Sequence, residues 1–189
     1  DRIAALGHED ITDPDTGERT ISLAVSLLSV ALGEKPRLLS RVALDGVWGW
    51  VPSERDDFAK VFKAIPELGL ILFPFHAWSQ EEYRYVGGVQ LIDYDRDSLA
   101  RRGLIEGGGW VERGIPHGEA TVLTLSTEIL QVVDIQDRDH PVRKGSLQLS
   151  RNVQDFALLP GDFTVQLAGD WYSAGSQLLT TSTDYPNAP

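Results

Sequence analysis

The segment that decides the fold is VQLIDY at residues 89–94, followed after four polar residues by LARRGLI at residues 99–105. The first part has the β-branched and large apolar residues that are typical of a strand. The acidic residues between the two parts are typical of a turn. The second part predicts a further strand, which carries two arginines. We interpret the whole segment as two strands joined by a short polar turn.

The same arrangement occurs twice more in the chain. In both additional copies the second strand opens with a proline, Pro36 or Pro141. Proline suits the start of an outermost strand, because its missing N–H group then interrupts no hydrogen-bond ladder. The additional copies are VSLLSV at residues 25–30 with PRLLSRV at residues 36–42, and LQVVDI at residues 130–135 with PVRKGSL at residues 141–147.

The spacing of the copies predicts a β-propeller. They begin at residues 25, 89 and 130, and the second interval matches the ~40–50 residues of a four-stranded propeller blade. The longer first interval predicts a blade with an insertion at residues 45–55. Further apolar runs supply the remaining strands, which gives blades of three, four, four and three strands. We expect these blades roughly at residues 1–44, 56–106, 109–150 and 151–189.

Two other architectures fit the sequence less well. Residues 55–65 place apolar side chains at positions 58, 61, 62 and 65, which is a helical period, but the run is short and ends before Pro66. A β-sandwich would have similar strands without an outer-strand motif that recurs at blade spacing. The sequence therefore predicts an all-β chain, a propeller segment of about four blades that either stands alone or forms part of a larger propeller.

Composition excludes several functional classes. The chain of 189 residues has 17 basic and 28 acidic side chains and a formal charge of −11. That charge opposes non-specific binding to nucleic acids and to anionic lipid surfaces. The chain has no cysteine, which excludes disulfides, thiol nucleophiles and cysteine-ligated metals. It also has no methionine and begins in what reads as a strand, so we expect a processed product or a fragment of a longer chain.

Several stretches resemble a known group of proteins. They are DRIAALG at residues 1–7, FA at 58–59 with LILFP at 70–74, GGVQLID at 87–93 with RGLI at 102–105, and LTLS at 123–126 with LQVVDI at 130–135. Together they look like the secreted bacterial and archaeal proteins with a C-terminal β-propeller domain. The resemblance covers roughly residues 1–150 and implies a propeller fold and an extracytoplasmic location, secreted, periplasmic or lipid-anchored as part of a longer precursor. It brings no catalytic residue with it.

Aromatic residues near loops are the candidates for a ligand or partner surface. Trp48 and Trp50 flank a glycine in the predicted insertion, and Trp78 and Trp110 border loops. His76, two residues before Trp78, is included with them. Exposed tryptophans are enriched where proteins bind ligands or other proteins. The alternative for each of them is packing between blades.

Alternating carboxylates at Asp93, Asp95 and Asp97 are the best candidate for a metal site, and the metal would be calcium. An EF-hand-type loop would have glycine at position 98 and glutamate at position 104, where this chain has Ser98 and Leu104. A similar acidic turn at residues 134–139 favours the alternative that aspartate serves turn geometry. No other cofactor is expected.

The function that we predict is a non-catalytic, extracytoplasmic propeller segment that acts in protein or ligand binding or in assembly. No Gly-x-Ser-x-Gly motif is present to anchor a serine hydrolase. One alternative is part of a propeller enzyme with Asp56, Asp57 or Asp155 near a central channel, and another is a structural component of a surface or phage-like assembly. Because an open arc of blades exposes apolar faces, we expect a companion chain or a second copy to complete it.

Overall fold

The computed structural model describes residues 1–12, 14–15, 17, 19–44, 49–52, 58–79, 84–151, 153–169 and 176–184. Strands dominate, and the helical elements are one α-helical turn, α1 (Phe58–Val61), and a 3₁₀ turn at Pro66–Leu68. The strands are β1 (Arg2–Thr12), β2 (Arg19–Ser29), β3 (Arg37–Ala43), β4 (Gly49–Trp50), β5 (Lys63–Ile65), β6 (Leu70–Ser79), β7 (Arg84–Tyr94), β8 (Leu99–Glu106), β9 (Val111–His117), β10 (Thr121–Ser126), β11 (Ile129–Asp134), β12 (Val142–Gln148), β13 (Val153–Leu159), β14 (Phe163–Ala168) and β15 (Gln177–Ser182).

The strands form four antiparallel sheets in chain order. The first sheet is β1-β2-β3, the third is β9-β10-β11-β12 and the fourth is β13-β14-β15. In the second sheet β4 and β5 both pair with β6, which is followed by β7 and β8. The prediction of an all-β chain is confirmed. Among the described strands, no sheet closes on itself.

Each of the first three sheets has a β-bulge at the same point of the repeated motif. The pairing shifts beside Leu39 in β3, beside residues 102–103 in β8 and beside Lys144 in β12. The extra residue lies on the outermost strand each time. A β-bulge increases the local right-handed twist, so the three sheets have this added twist at the same position of the motif. The repeat seen in the sequence is therefore also a repeat of backbone geometry.

The chain also leaves each of these sheets in the same way. After the outermost strand, the N–H of Leu44 donates to the Leu23 carbonyl over 2.7 Å. The N–H of Gly107 donates to the Gly87 carbonyl over 3.3 Å, and that of Leu149 to the Glu128 carbonyl over 2.7 Å. All three donors, and all three acceptors, hold equivalent positions in the repeat. The connections that lead to the second, third and fourth sheets thus begin with one shared hydrogen bond.

Within the predicted insertion at residues 45–55, Gly49–Trp50 form β4 of the second sheet, and residues 45–48 and 53–55 lie outside the described residues. Trp50 in β4 pairs with His76, and Ile65 in β5 pairs with Leu70 at the opposite end of β6. The inserted residues therefore divide the first strand of this sheet. Pro74 lies in β6 between the two paired stretches, where proline disturbs the ladder least. In the run with the helical period, Phe58–Val61 form α1, and Lys63–Ile65 form β5.

The first three sheets stack face to face, and we call the face toward the preceding sheet the front face and the opposite one the back face. Because side chains alternate along a strand, β6 contributes to both faces of the second sheet. The core between the first and second sheets contains Leu23, Val25, Leu44, Ile71, Phe73, Phe75, Ala77 and Ile92. The core between the second and third sheets contains Leu70, Leu72, Val89, Leu91, Ile105, Val111, Val122, Val133 and Ile135.

The fourth sheet differs from the others because apolar side chains are exposed on both of its faces. Phe156 and Leu158 lie on one face with 64% and 71% of their surface exposed, and Leu178 lies on the other with 75% exposed. Every residue of β13 is exposed. Within the described chain, this sheet has the strands of a fourth unit without the cover that the second sheet has.

Candidate functional site

Five aromatic or imidazole rings form a cluster at the end of the second sheet where the chain crosses to the third. Trp78 and Tyr85, a cross-strand pair, meet edge to face with ring centroids 5.0 Å apart. Tyr85 in turn meets Trp50 at 5.9 Å, and Trp50 meets Trp110 at 5.8 Å. Trp110 stacks on His76 at 3.8 Å with 12° between the ring planes. We call these five residues the aromatic cluster.

The exposed fraction of the rings in the aromatic cluster increases from the protein interior to the surface. His76 is fully buried at one end, and Trp78 has 41% of its surface exposed at the other. Trp50, Tyr85 and Trp110 are half-buried between them. Such a series of rings presents a rigid aromatic surface whose position is set by the core below it.

His76 supports the rings and is shielded from solvent. Its Nε2–H donates to the carbonyl oxygen of Val111 over 2.8 Å, which links β6 to the start of β9. Burial lowers the pKa of His76 from 6.5 to about 4, although the hydrogen bond to Val111 opposes this shift. The imidazole is therefore neutral near pH 7, and its buried position keeps it from a ligand at the surface.

Two glycines allow the backbone to pack closely around His76. A Cβ atom at Gly49 would lie 2.5 Å from the carbonyl oxygen of His76. One at Gly87 would lie 2.5 Å from the carbonyl oxygen of Phe75 and 3.0 Å from Nδ1 of His76. The carbonyl of Gly49 also lies 2.9 Å from Nε2 of His8 in β1, so the first sheet contributes to the same region. The two glycines thus let β4 and β7 approach β6 closely at His76.

Three of the four residues proposed for the ligand surface come together here. Trp50, Trp78 and His76 belong to the aromatic cluster, and Trp48 lies outside the described residues. Trp110, which the sequence indicates as a tryptophan beside a loop, also belongs to the cluster. Tyr85 was not predicted, although its place opposite Trp78 across the turn could have indicated it.

The opposite end of the second sheet is dominated by ion pairs. Asp93 accepts hydrogen bonds from Arg102 over 2.7 Å and from Arg138, which belongs to the turn between β11 and β12. Arg102 also reaches Asp139 of that turn at 3.1 Å. The N–H of Gly103 donates to the carbonyl of Arg138 over 2.9 Å. This network joins the second sheet to the third by charge, where the aromatic cluster joins them by packing.

The three carboxylates proposed for calcium have separate partners. Both oxygens of Asp93 are engaged by guanidinium groups, and Asp97 pairs with Arg2 of the first sheet at 2.6 Å. Asp95 accepts the backbone N–H of Arg96 over 2.6 Å. Arg102 and Arg138 line the cavity of about 380 Å³ beside Asp93 and Asp95. Two guanidinium groups there oppose a cation by like-charge repulsion.

Within the ranges described above, no group of three metal-ligating side chains is placed to hold an ion. The geometry therefore favours the turn and ion-pair role of these aspartates, and calcium binding stays a prediction. Of the carboxylates considered for an enzyme, Asp155 lies on the exposed β13 and accepts the N–H of Phe156 over 2.8 Å. Asp56 and Asp57 lie outside the described residues.

Comparison with known proteins adds no assignment. No protein-family model matches the chain, and no curated protein matches it significantly. In the part of the chain that the structure describes, no helix has the length and apolar character needed to cross a membrane.

Proposed function

We propose that this chain is a segment of a β-propeller that serves, without catalysis, as a binding and assembly module outside the cytoplasm. The propeller architecture is supported by the sheets that follow one another along the chain, by their shared bulge position and by their shared exit hydrogen bond. Face-to-face stacking of the first three sheets agrees with it, since propeller blades pack in this way around an axis. The extracytoplasmic location rests on the sequence resemblance alone, and secretion of the full-length gene product would test it.

The binding role rests on one observation, the aromatic cluster that emerges at the surface at Trp78. Tryptophan and tyrosine offer a large contact area and lose little conformational entropy on binding. The rings below Trp78 restrict its neighbours, so a ligand would meet a preorganised surface. We place the ligand surface at Trp78 and Tyr85, with Trp50 behind them.

Saturation-transfer NMR with a panel of soluble oligosaccharides and short proline-rich or aromatic peptides tests this role. Compounds that bind the native chain should lose their signal with Trp78→Ala, because the exposed ring provides the contact area. Phe156→Ala is the matched control, since it removes an exposed aromatic ring from the fourth sheet. Binding that persists in Trp78→Ala, or that is lost equally in Phe156→Ala, would remove the aromatic cluster from the proposal.

A further inference from the structure

The three-sheet core has a partly exposed apolar row at each end, one on the front face of the first sheet and one on the back face of the third. On the front face of the first sheet, Ile3, Leu28 and Leu38 form a row across the three strands. On the back face of the third sheet, Ile115, Leu123 and Val132 form a similar row. Ile3 has 50% and Val132 has 38% of its surface exposed.

The row on the first sheet occupies the same positions of the repeated motif as rows on the front faces of the second and third sheets, and those rows are buried. Leu28 corresponds to Ile92 of the second sheet, which pairs with Ile71, and to Val133 of the third sheet, which pairs with Val122. These four residues are at most 2% exposed, because each pair packs on the back face of the preceding sheet. Among the described residues, no back face of another sheet packs against the row of Ile3, Leu28 and Leu38.

The row on the back face of the third sheet is equivalent, in the repeat, to residues on the back face of the second sheet. Val132 corresponds to Leu91, which pairs with Leu72 and is fully buried against the front face of the third sheet. Leu123 corresponds to Leu72 in the same way. The back face of the third sheet is thus equivalent to the back face of the second sheet, which packs against the front face of the third.

One ion pair lies beside each row, and Arg113 lies on the back face of the third sheet opposite Leu125. Arg41 binds Glu9 at 3.0 Å on the front face of the first sheet. Lys144 binds Asp134 at 3.4 Å at the edge of the third sheet. Bringing the two faces together would leave both ion pairs intact, and the Arg113 guanidinium would have to stay at the solvent-exposed rim, because burying an unpaired charge is strongly destabilising.

We propose that the back face of the third sheet binds the front face of the first sheet of a second copy of this chain. This inference rests on the assembly role proposed above and names its partner. A second copy is the occupant that the structure favours, because each face already matches an interface that the chain makes with itself. The contact is heterologous, so it leaves one unfilled face on each outer copy and continues into a ring or a filament.

Sedimentation velocity of the full chain over a concentration series tests the proposal. The native chain should sediment above its monomer mass of 20.8 kDa as concentration rises. Ile3→Arg and Val132→Arg should each weaken association at least about tenfold, because each places an unpaired charge in the interface. Leu32→Arg is the control, since Leu32 lies in a turn and is fully exposed.

Mixing the two variants gives the decisive result. Ile3→Arg keeps an intact third sheet and Val132→Arg keeps an intact first sheet, so the mixture should form a one-to-one dimer although neither variant associates alone. Where either arginine disturbs folding, judged by circular dichroism, Ile3→Cys mixed with Val132→Cys replaces it, because the chain has no other cysteine. A disulfide between the two variants, absent with Leu32→Cys, is then the expected result.

The remaining outcomes overturn the proposal in distinguishable ways. A native chain that stays monomeric at all concentrations contradicts both this inference and the assembly role. A native chain that associates unchanged with Ile3→Arg and Val132→Arg contradicts the inference alone. Loss of association with Leu158→Arg and not with Val132→Arg would show that the fourth sheet makes the contact instead.

Discussion

The second and fourth sheets are both antiparallel meanders, and they differ in what covers them. The second sheet has a neighbour on each face, and residues 70–77 of β6 are all buried. The fourth sheet exposes Phe156 and Leu158 on one face and Leu178 on the other. Strand formation needs only local pattern and pairing, whereas most of the stabilising free energy of a sheet comes from burying its faces. The comparison predicts that the two sheets respond very differently to the same substitution.

The largest expected effect separates Leu72→Ala from Leu158→Ala. Leu72 is fully buried between the second and third sheets, so its truncation leaves a cavity and should cost about 2–5 kcal/mol of unfolding free energy. Leu158 is exposed, and its truncation should change the unfolding free energy by less than about 0.5 kcal/mol. Urea unfolding followed by circular dichroism measures both. Equal losses would mean that the fourth sheet is buried in solution as deeply as the second.

Acid should destabilise the second sheet through His76. The pKa of this buried imidazole is about 4, against 6.5 in the unfolded chain. Between these values the unfolded chain binds a proton that the folded chain does not. The contribution of neutral His76 to the unfolding free energy is therefore fully present above pH 6.5 and is lost as the pH is lowered toward 4. The loss should be about 2–3 kcal/mol over that range.

The slope of unfolding free energy against pH checks this expectation. His76→Gln should flatten it between pH 4 and 6.5. His140→Gln is the control, because the Asp137 carboxylate raises the pKa of that exposed imidazole and so gives a contribution of opposite sign, present at low pH and lost as the pH rises. A slope unchanged by His76→Gln would contradict the prediction. Residues 153–182, which span the fourth sheet, contain no histidine.

A smaller effect is expected from a methyl group added between the second and third sheets. A Cβ atom at Gly114 would lie 2.8 Å from Val89 and 2.9 Å from Leu72. Gly114→Ala should therefore cost about 1–3 kcal/mol by overpacking. Gly145→Ala, in the same sheet but with no atom within 4 Å of the added carbon, should be neutral or slightly stabilising. Matched thermal melts compare the two, and equal melting temperatures would show that the sheets are not in contact there.

The smallest effect is expected from removing calcium. The Asp93, Asp95 and Asp97 carboxylates have arginine or backbone partners, so chelation should leave the thermal unfolding curve unchanged. A ligand that binds only the folded state would stabilise it, and chelation would then lower the melting temperature. A lower melting temperature, restored by added calcium, would show that the ion displaces the arginines from Asp93.

Much of the fold could be predicted from local pattern. The three copies of the strand-turn-strand motif form the paired strands β2-β3, β7-β8 and β11-β12, and Pro36 and Pro141 precede the outermost strands as expected. The candidate site could be predicted only in part. Trp50, Trp78 and His76 were identified by residue type, but Trp110 joins them from a connection more than thirty residues further along the chain.

Local sequence was enough to predict most of the strands, the turns of the three motifs and the repeat of the unit, because these depend on alternation and on turn chemistry over a few neighbouring residues. Tertiary structure alone decided that β4 and β5 share one edge of β6, since pairing across an inserted segment leaves no local signal. It also decided that Asp93 binds Arg138 of another sheet and that the second sheet is covered where the fourth is exposed. These are contacts between distant segments, and their free energy depends on packing in three dimensions.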